Sequence, residues 1–153
     1  MAARRWLALA GLAAGLLGPG DGTAEERFGD WVVLPPGGEA VCLAYTEGRP
    51  AGRLVLRVER PALLSLYIAG DRRLADGSEA TARIDGGDPV ALRAADGLLW
   101  PEGGAASAGF FQALLLGAEL RVVHGEAGEG EVFSLIGLQT AREAVLEGCG
   151  AAG

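Results

Sequence analysis

Lysine and asparagine are both absent from this 153-residue sequence, and histidine occurs once, as His124. The absence of lysine excludes a P-loop nucleotide site, a Schiff-base mechanism and a serine–lysine pair, because each needs a lysine amine. No cofactor motif is present either, so no cofactor is expected. The chemistry open to this chain is therefore narrow.

Positive charge is scarce as well. All 13 basic residues are arginines, against 20 Asp and Glu, and the net charge is −7. Nucleic-acid binding depends on neutralising phosphates, and attachment to anionic lipid depends on basic residues near the surface. We therefore expect no nucleic-acid partner and no stable membrane anchor in the mature chain. A protein partner is expected, although the sequence does not identify it.

No hydrophobic run is long enough to span a bilayer. The apolar segment at residues 6–17 falls short of the roughly 20 residues that a spanning helix needs. It follows two arginines and precedes small residues at 22–24, which is the pattern of a cleaved export signal. We predict a signal peptide over residues 1–24 and a single β-rich domain over residues 25–153, in the periplasm or secreted.

Cysteine is also rare, since Cys42 and Cys149 are the only two in the sequence. Two cysteines and one histidine, far apart in sequence, do not make a structural zinc site, and no metal is expected. In an exported chain, two cysteines indicate one disulfide because the compartment is oxidising. A Cys42–Cys149 bond is predicted, worth roughly 4–5 kcal/mol in the chain-entropy model. Two unpaired thiols are the alternative.

Short apolar segments between Gly and Pro turns make up most of the remaining chain. Residues 53–59 alternate charged and apolar side chains, as a half-buried strand does. Asp-Gly-Gly at 85–87 predicts a hairpin, because these glycines tolerate positive φ. Predicted strands cover residues 27–34, 40–46, 53–59, 63–68, 79–84, 89–93, 98–100, 119–124 and 131–136.

Two short helices accompany the strands. The first is predicted to begin near Ser107, after a small-residue loop, and to end at Gly117. The second carries a capping-box pattern at Thr140 and Glu143 and ends near Gly148. Its apolar face comprises Leu138, Ala141, Ala144 and Val145. Together these elements predict a mainly β fold: an antiparallel sandwich or barrel-like single domain with two short helices.

Residues 131–149 are expected to organise the fold. They read as a buried strand, a tight turn, the second helix and finally Cys149. If Cys149 bonds to Cys42, this stretch ties the end of the chain to its first strands.

We interpret the candidate catalytic and metal-binding residues as structural or solvent-exposed. A triad of Ser107, His124 and an acid lacks the Gly-x-Ser-x-Gly pattern, so His124 is interpreted as an exposed or hydrogen-bonded histidine. A paired-carboxylate glycosidase has no supporting spacing. Five acidic residues are candidates for a calcium site, but they lack regular ligand spacing and are interpreted as solvated turn residues. They are Asp85, Asp88, Glu126, Glu129 and Glu131.

Four aromatic side chains are expected to be core, with a binding patch as the alternative. They are Trp31, Trp100, Phe110 and Phe111.

Four patches of sequence resemble the invasion-associated locus B family of bacterial exported proteins. They are Phe-Gly-Asp-Trp at 28–31; Cys-Leu-Ala at 42–44; Leu-x-Ile at 66–68 with Ala-x-Ile-Asp-Gly at 82–86; and Gly-x-Glu-Leu-x-Val at 117–122 with Phe-Ser-Leu-x-Gly-Leu at 133–138. The family commonly has a cysteine where this chain has Leu34, so the disulfide pattern differs. The resemblance implies a periplasmic or secreted, non-catalytic, β-rich protein, linked in some pathogens to host-cell entry. It implies no catalytic residues.

Three functions are therefore considered, in this order. The first is a non-enzymatic exported protein that acts through protein contacts, which an exposed apolar patch on the acidic surface would favour. The second is a small-ligand module with an interior cavity lined by Leu64, Leu66, Trp100 and Phe111. The third is an unrecognised hydrolase, which needs His124 or two acids in a cleft.

Intact mass of the protein from a periplasmic fraction tests the export and disulfide predictions. We expect loss of the first ~24 residues and protection of both thiols from alkylation until a reductant is added. An uncleaved chain with two freely alkylated thiols would contradict both.

Overall fold

The structure is a computed structural model that describes residues 25–35, 42–59, 63–69, 74–125 and 130–150. The predicted signal peptide lies outside these residues. The described elements, in chain order, are β1 (Glu26–Phe28), β2 (Trp31–Val33), β3 (Cys42–Arg49), β4 (Arg53–Glu59), β5 (Leu63–Ala69), β6 (Glu79–Ile84), β7 (Val90–Ala95), β8 (Leu98–Pro101), α1 (Gly104–Leu116), β9 (Glu119–His124), β10 (Gly130–Ser134) and α2 (Leu138–Gly150).

Eight of the strands close into an antiparallel barrel. Around the barrel they run β3-β10-β9-β6-β7-β8-β5-β4, and β4 pairs back to β3. The mainly β fold with two helices is therefore confirmed, and of the two architectures left open the chain adopts the barrel.

Strand β3 carries three neighbours, because one of its edges is shared. Strand β4 pairs along one edge, from Cys42 to Glu47. On the other edge β2 pairs with Ala44 and Tyr45, and β10 pairs with Gly48 and Arg49. The β1–β2 hairpin thus extends the sheet beside the barrel at the point where β3 forks.

The core lies on the inner face of the barrel and under both helices. Trp31, Phe133 and Leu114 are fully buried there. On α2 the predicted apolar face is largely confirmed, since Leu138 and Val145 join the same core and the exposed Glu143 points away. Neither helix in the described part of the chain has the length and hydropathy of a membrane span.

The predicted first strand, 27–34, is wrong, because the chain turns back in its middle. Phe28 faces Trp31 across a two-residue hairpin turn, and Gly29 adopts a φ of 58° there. Glycine at the first central position is a hairpin signal. The predicted strand therefore splits into β1 and β2.

Helix α1 is longer than predicted. It begins at Gly104, so the expected small-residue loop is its first turn and Ser107 is not the N-cap. Alanine is the strongest helix former, and residues 105 and 106 are both alanine. The helix ends before Gly117 as predicted, but Gly117 is extended, with φ −85°. A Cβ on Gly117 would lie 2.5 Å from Ile84 Cγ2, so close approach to β6 selects glycine there.

Helix α2 also begins earlier than predicted and extends to Gly150. Because Leu138 is already helical, Thr140 lies within the first turn and the capping box is wrong. Gly137 precedes the helix with a φ of 96°, and its carbonyl oxygen accepts the Ala141 amide at 2.9 Å.

The β1–β2 turn docks directly on the turn between β10 and α2. The Asp30 amide donates to the Ile136 carbonyl at 3.1 Å. Backbone meets backbone so closely that a Cβ on Gly137 would lie 1.9 Å from the Phe28 carbonyl oxygen. Only glycine therefore fits at 137.

Gly137→Ala is expected to reduce the free energy of unfolding by at least about 2 kcal/mol, because it adds backbone strain to a steric clash. The measurement is urea denaturation followed by circular dichroism. Gly148→Ala is the matched control, since position 148 on α2 has open space around it. It should leave stability unchanged or raise it by up to about 1 kcal/mol. Equal effects of the two substitutions would contradict the docking of the turns.

Candidate functional site

The sequence patches at 28–31 and 133–138 meet in a hydrogen-bonded joint. The Trp31 indole Nε1 donates to the Ser134 carbonyl at 3.2 Å. The Ser134 hydroxyl donates to Asp30 Oδ2 at 2.5 Å. These residues hold the β1–β2 hairpin on the end of β10, so the most recognisable motif residues of this chain have structural roles.

Asp85 is also engaged within the protein. It occupies the β6–β7 turn at a φ of 49°. Its carboxylate accepts the Ala118 amide at 3.1 Å and the Glu119 amide at 2.9 Å, and its own amide donates to the Glu119 carbonyl at 3.0 Å. Asp85 therefore fastens the hairpin to the start of β9, a role that its spacing did not reveal.

Of the other candidate acids, the two that the structure describes, Asp88 and Glu131, do not converge with Asp85 on one site. Asp88 is exposed. Residues 126 and 129 lie outside the described part of the chain. Among the residues that are described, no group of three or more His, Cys, Asp or Glu side chains is arranged to hold a metal ion.

His124 pairs with Glu131 at the end of the β9–β10 hairpin. Its Nε2 lies 2.5 Å from Glu131 Oε2, and the two side chains are 20% and 14% exposed. The hydrogen-bonded interpretation of His124 agrees with this geometry. The Ser107 side chain lies outside the described side chains, so its distance from His124 is not described.

Three of the four candidate aromatics pack as expected. Trp31 and Phe110 are buried in the core, and the partly buried Phe111 packs against it. Trp100 is different, because it alternates with the buried Leu99 and so lies on the outer face of β8. It does not line an interior cavity with Phe111, and the side chains of Leu64 and Leu66 are outside the description.

Trp100 belongs to a row of apolar side chains that crosses the outside of the barrel. We call this row the aromatic strip and define it by Val32, Tyr45, Val55, Tyr67 and Trp100. Consecutive members lie opposite one another in the ladders from β2 through β3 and β4 to β5, and β8 continues the row. At about 4.8 Å per strand interval, the strip is roughly 19 Å long.

The strip forms an apolar layer of its own. Val32 and Val55 are only 4% and 8% exposed, yet neither belongs to the core cluster. Tyr67 and Trp100 pack with ring centroids 5.1 Å apart and planes tilted by 42°. The guanidinium of Arg53 lies 4.7 Å from the centroid of the Tyr45 ring. The three aromatic residues remain partly exposed.

The two ends of the strip differ in charge. Beyond Trp100, Arg93 forms ion pairs with Glu79 and Glu102. The hydrogen bond that Arg93 donates to the Glu102 carboxylate, and then the negative charge of Glu102, raise the pKa of Arg93. Within the described residues, Arg27 and Arg49 at the other end form no ion pair.

A groove of about 440 Å³ lies at this second end, where β2 and β10 separate along β3. It shares Val32 and Tyr45 with the aromatic strip, so the two features are continuous. The remaining side chains and backbone that line it include Arg27, Gly29, Asp30, Thr46, Glu47, Arg49 and Ser134.

The disulfide stays a prediction that the placement of its members supports. Cys42 begins β3 and is buried, at 2% exposed, in the core cluster. Position 149 follows Val145 by about one turn of α2, and α2 packs against β3. The Cys149 side chain lies outside the described side chains.

The fold is similar to that of a solved bacterial protein. Over 82% of this chain and 97% of the other, the structure matches the crystal structure of invasion associated protein B from Bartonella henselae, with a TM-score of 0.58 and 12% sequence identity. At that identity the likeness concerns the fold. No protein-family model and no curated protein sequence matches the chain.

Asp85→Ala is expected to reduce the free energy of unfolding by about 1–2 kcal/mol, because it leaves two backbone amides without their acceptor. Asp85→Asn keeps an acceptor oxygen and a residue type that tolerates positive φ, so its loss should be smaller. The control is Asp88→Ala in the same connection, expected within about 0.5 kcal/mol of the wild type. Thermal and urea unfolding measure all three; a neutral Asp85→Ala would contradict the fastening role.

Proposed function

We propose that this protein is an exported, non-catalytic barrel protein of the invasion-associated locus B kind, which acts by contacting other proteins at the cell envelope or outside the cell. A role in contact with host cells is part of the proposal. The observation that carries it is the barrel fold, shared over nearly the whole length of invasion associated protein B.

Two properties of the sequence support the same family and location. The patches that resemble the family at 28–31 and 133–138 are those that interlock in three dimensions, so they form one structural unit of the fold. The basic and apolar N-terminal segment has the composition of an export signal. A shared fold alone does not define a function. These residues therefore support the proposal independently of the topology.

The aromatic strip supports action through protein contact. Tyr, Trp and Arg are enriched among the residues that dominate binding energy at protein interfaces. Here Tyr45, Tyr67 and Trp100 form a partly exposed row beside Arg53 on a strongly acidic chain. Two further large apolar side chains, Leu116 and Ile136, are 87% and 60% exposed elsewhere.

The proposal includes the absence of catalysis. The ring nitrogen Nε2 of the single histidine is held by Glu131. Asp85 is occupied by backbone amides. These contacts give both residues structural roles and support the proposal that neither is catalytic.

Cell fractionation with cross-linking tests the proposal. We expect the processed protein in the periplasm or the medium, cross-linked to another protein in intact cells. A Tyr67→Ala and Trp100→Ala double variant should recover at least about tenfold less of that partner, since central aromatic truncations typically cost over 1 kcal/mol each. Thr81→Ala, on the outer face of β6, is the control and should behave like wild type.

Folding of each variant is verified by circular dichroism, so that loss of partner is not confused with loss of structure. Unprocessed protein confined to the cytoplasm would contradict export. Processed protein that forms no cross-link to another protein would contradict action through contact.

A further inference from the structure

We propose that the aromatic strip and the adjoining groove bind an extended, acidic segment of a partner protein, with carboxylates at Arg27 and Arg49 and apolar side chains along Tyr45, Tyr67 and Trp100. This inference rests on the proposed function and specifies the chemistry of the partner.

The charges in the groove carry the acidic part of the inference. The carboxylate of Asp30 accepts the Ser134 hydroxyl, and Glu47 pairs with Arg53 at 2.9 Å. Both groove acids thus have partners within the protein. Arg27 and Arg49 form no ion pair with any described residue, although the chain carries a net charge of −7. The groove therefore offers two guanidinium groups to an incoming carboxylate, the anion whose geometry guanidinium matches.

The opposite end of the strip lacks this capacity. Arg93 is already held by Glu79 and Glu102, so that end presents no spare positive charge. The surface is consequently directional: net positive in the groove, where Arg27 and Arg49 outweigh Asp30, apolar along the strip, and net negative beyond Trp100, where Arg93 faces two carboxylates. A partner segment with its acids at one end and apolar residues after them matches this order.

The dimensions fit a short extended segment. A strip of roughly 19 Å corresponds to about six residues at the rise of an extended chain. The groove volume of about 440 Å³ lies within the range of specific ligand sites.

Selection from a random twelve-residue peptide library displayed on phage, with the mature protein as target, tests the inference. We expect selected peptides to be rich in Asp or Glu next to aromatic or aliphatic residues. The most enriched peptide is then synthesised with a fluorescent label, and its Kd is measured by anisotropy. Binding should weaken with added salt, because exposed charges are screened.

Matched variants locate the site. Arg27→Gln with Arg49→Gln should raise the Kd at least about tenfold, since two charge-assisted contacts are lost. Tyr67→Ala should raise it separately, whereas Arg121→Gln, on the outer face of β9, should leave it unchanged. Both arginines are exposed, so the double variant is expected to fold, and circular dichroism verifies this.

Four outcomes would overturn the inference: no peptide selected, peptides without acidic enrichment, a Kd unchanged in the double arginine variant, or a dimer of the protein that Tyr67→Ala dissociates. The dimer would make a second copy the occupant. If export and partner capture persist while the peptide result fails, only this inference is refuted. If the protein is not exported, the proposed function fails whatever the peptides show.

Discussion

The joint between the β1–β2 turn and the end of β10 is the contact on which the rest of the structure depends. Strand β3 can carry both β2 and β10 on one edge only if the two separate at a fixed point, and the joint sets that point. The Trp31 indole and the Asp30 carboxylate both bind Ser134, while Gly137 allows the two backbones to touch. This geometry determines how the barrel closes, where α2 packs and where the groove lies.

Much of the fold could be predicted from local sequence. The strands 53–59, 79–84 and 119–124 have the predicted bounds, because alternation and flanking turns define them. Turn residues are the weaker signal, because Gly29-Asp30 is flanked on both sides by apolar residues of one predicted strand. Asp96-Gly97, the turn between β7 and β8, has the positive φ angles of a hairpin turn and the sequence typical of one. The β3–β10 and β6–β9 pairings that complete the barrel could not be predicted at all, because each joins strands that are distant in sequence.

The candidate surface could be predicted only in part. The expectation that Trp100 is core was wrong, because its alternation with the buried Leu99 places it on the outer face once the strand is known. Tyr45, Val55 and Tyr67 gave no separate signal, because an outer row exists only after four ladders fix its register. The spare charge of Arg27 and Arg49 was hidden for the same reason: it requires knowing where every neighbouring carboxylate is already engaged.

The sequence separation within the joint constrains the order in which the protein can fold. Trp31 and its hydrogen-bond acceptor are 103 residues apart, and Asp30 and Ser134 are 104 apart. During synthesis the β1–β2 hairpin therefore lacks its contact with the end of β10 until nearly all the barrel strands have been made. Contacts of such long range make folding slow, because the entropy of closing the chain is lost before they form. A chain whose last strand completes this joint cannot finish folding until its synthesis is nearly complete.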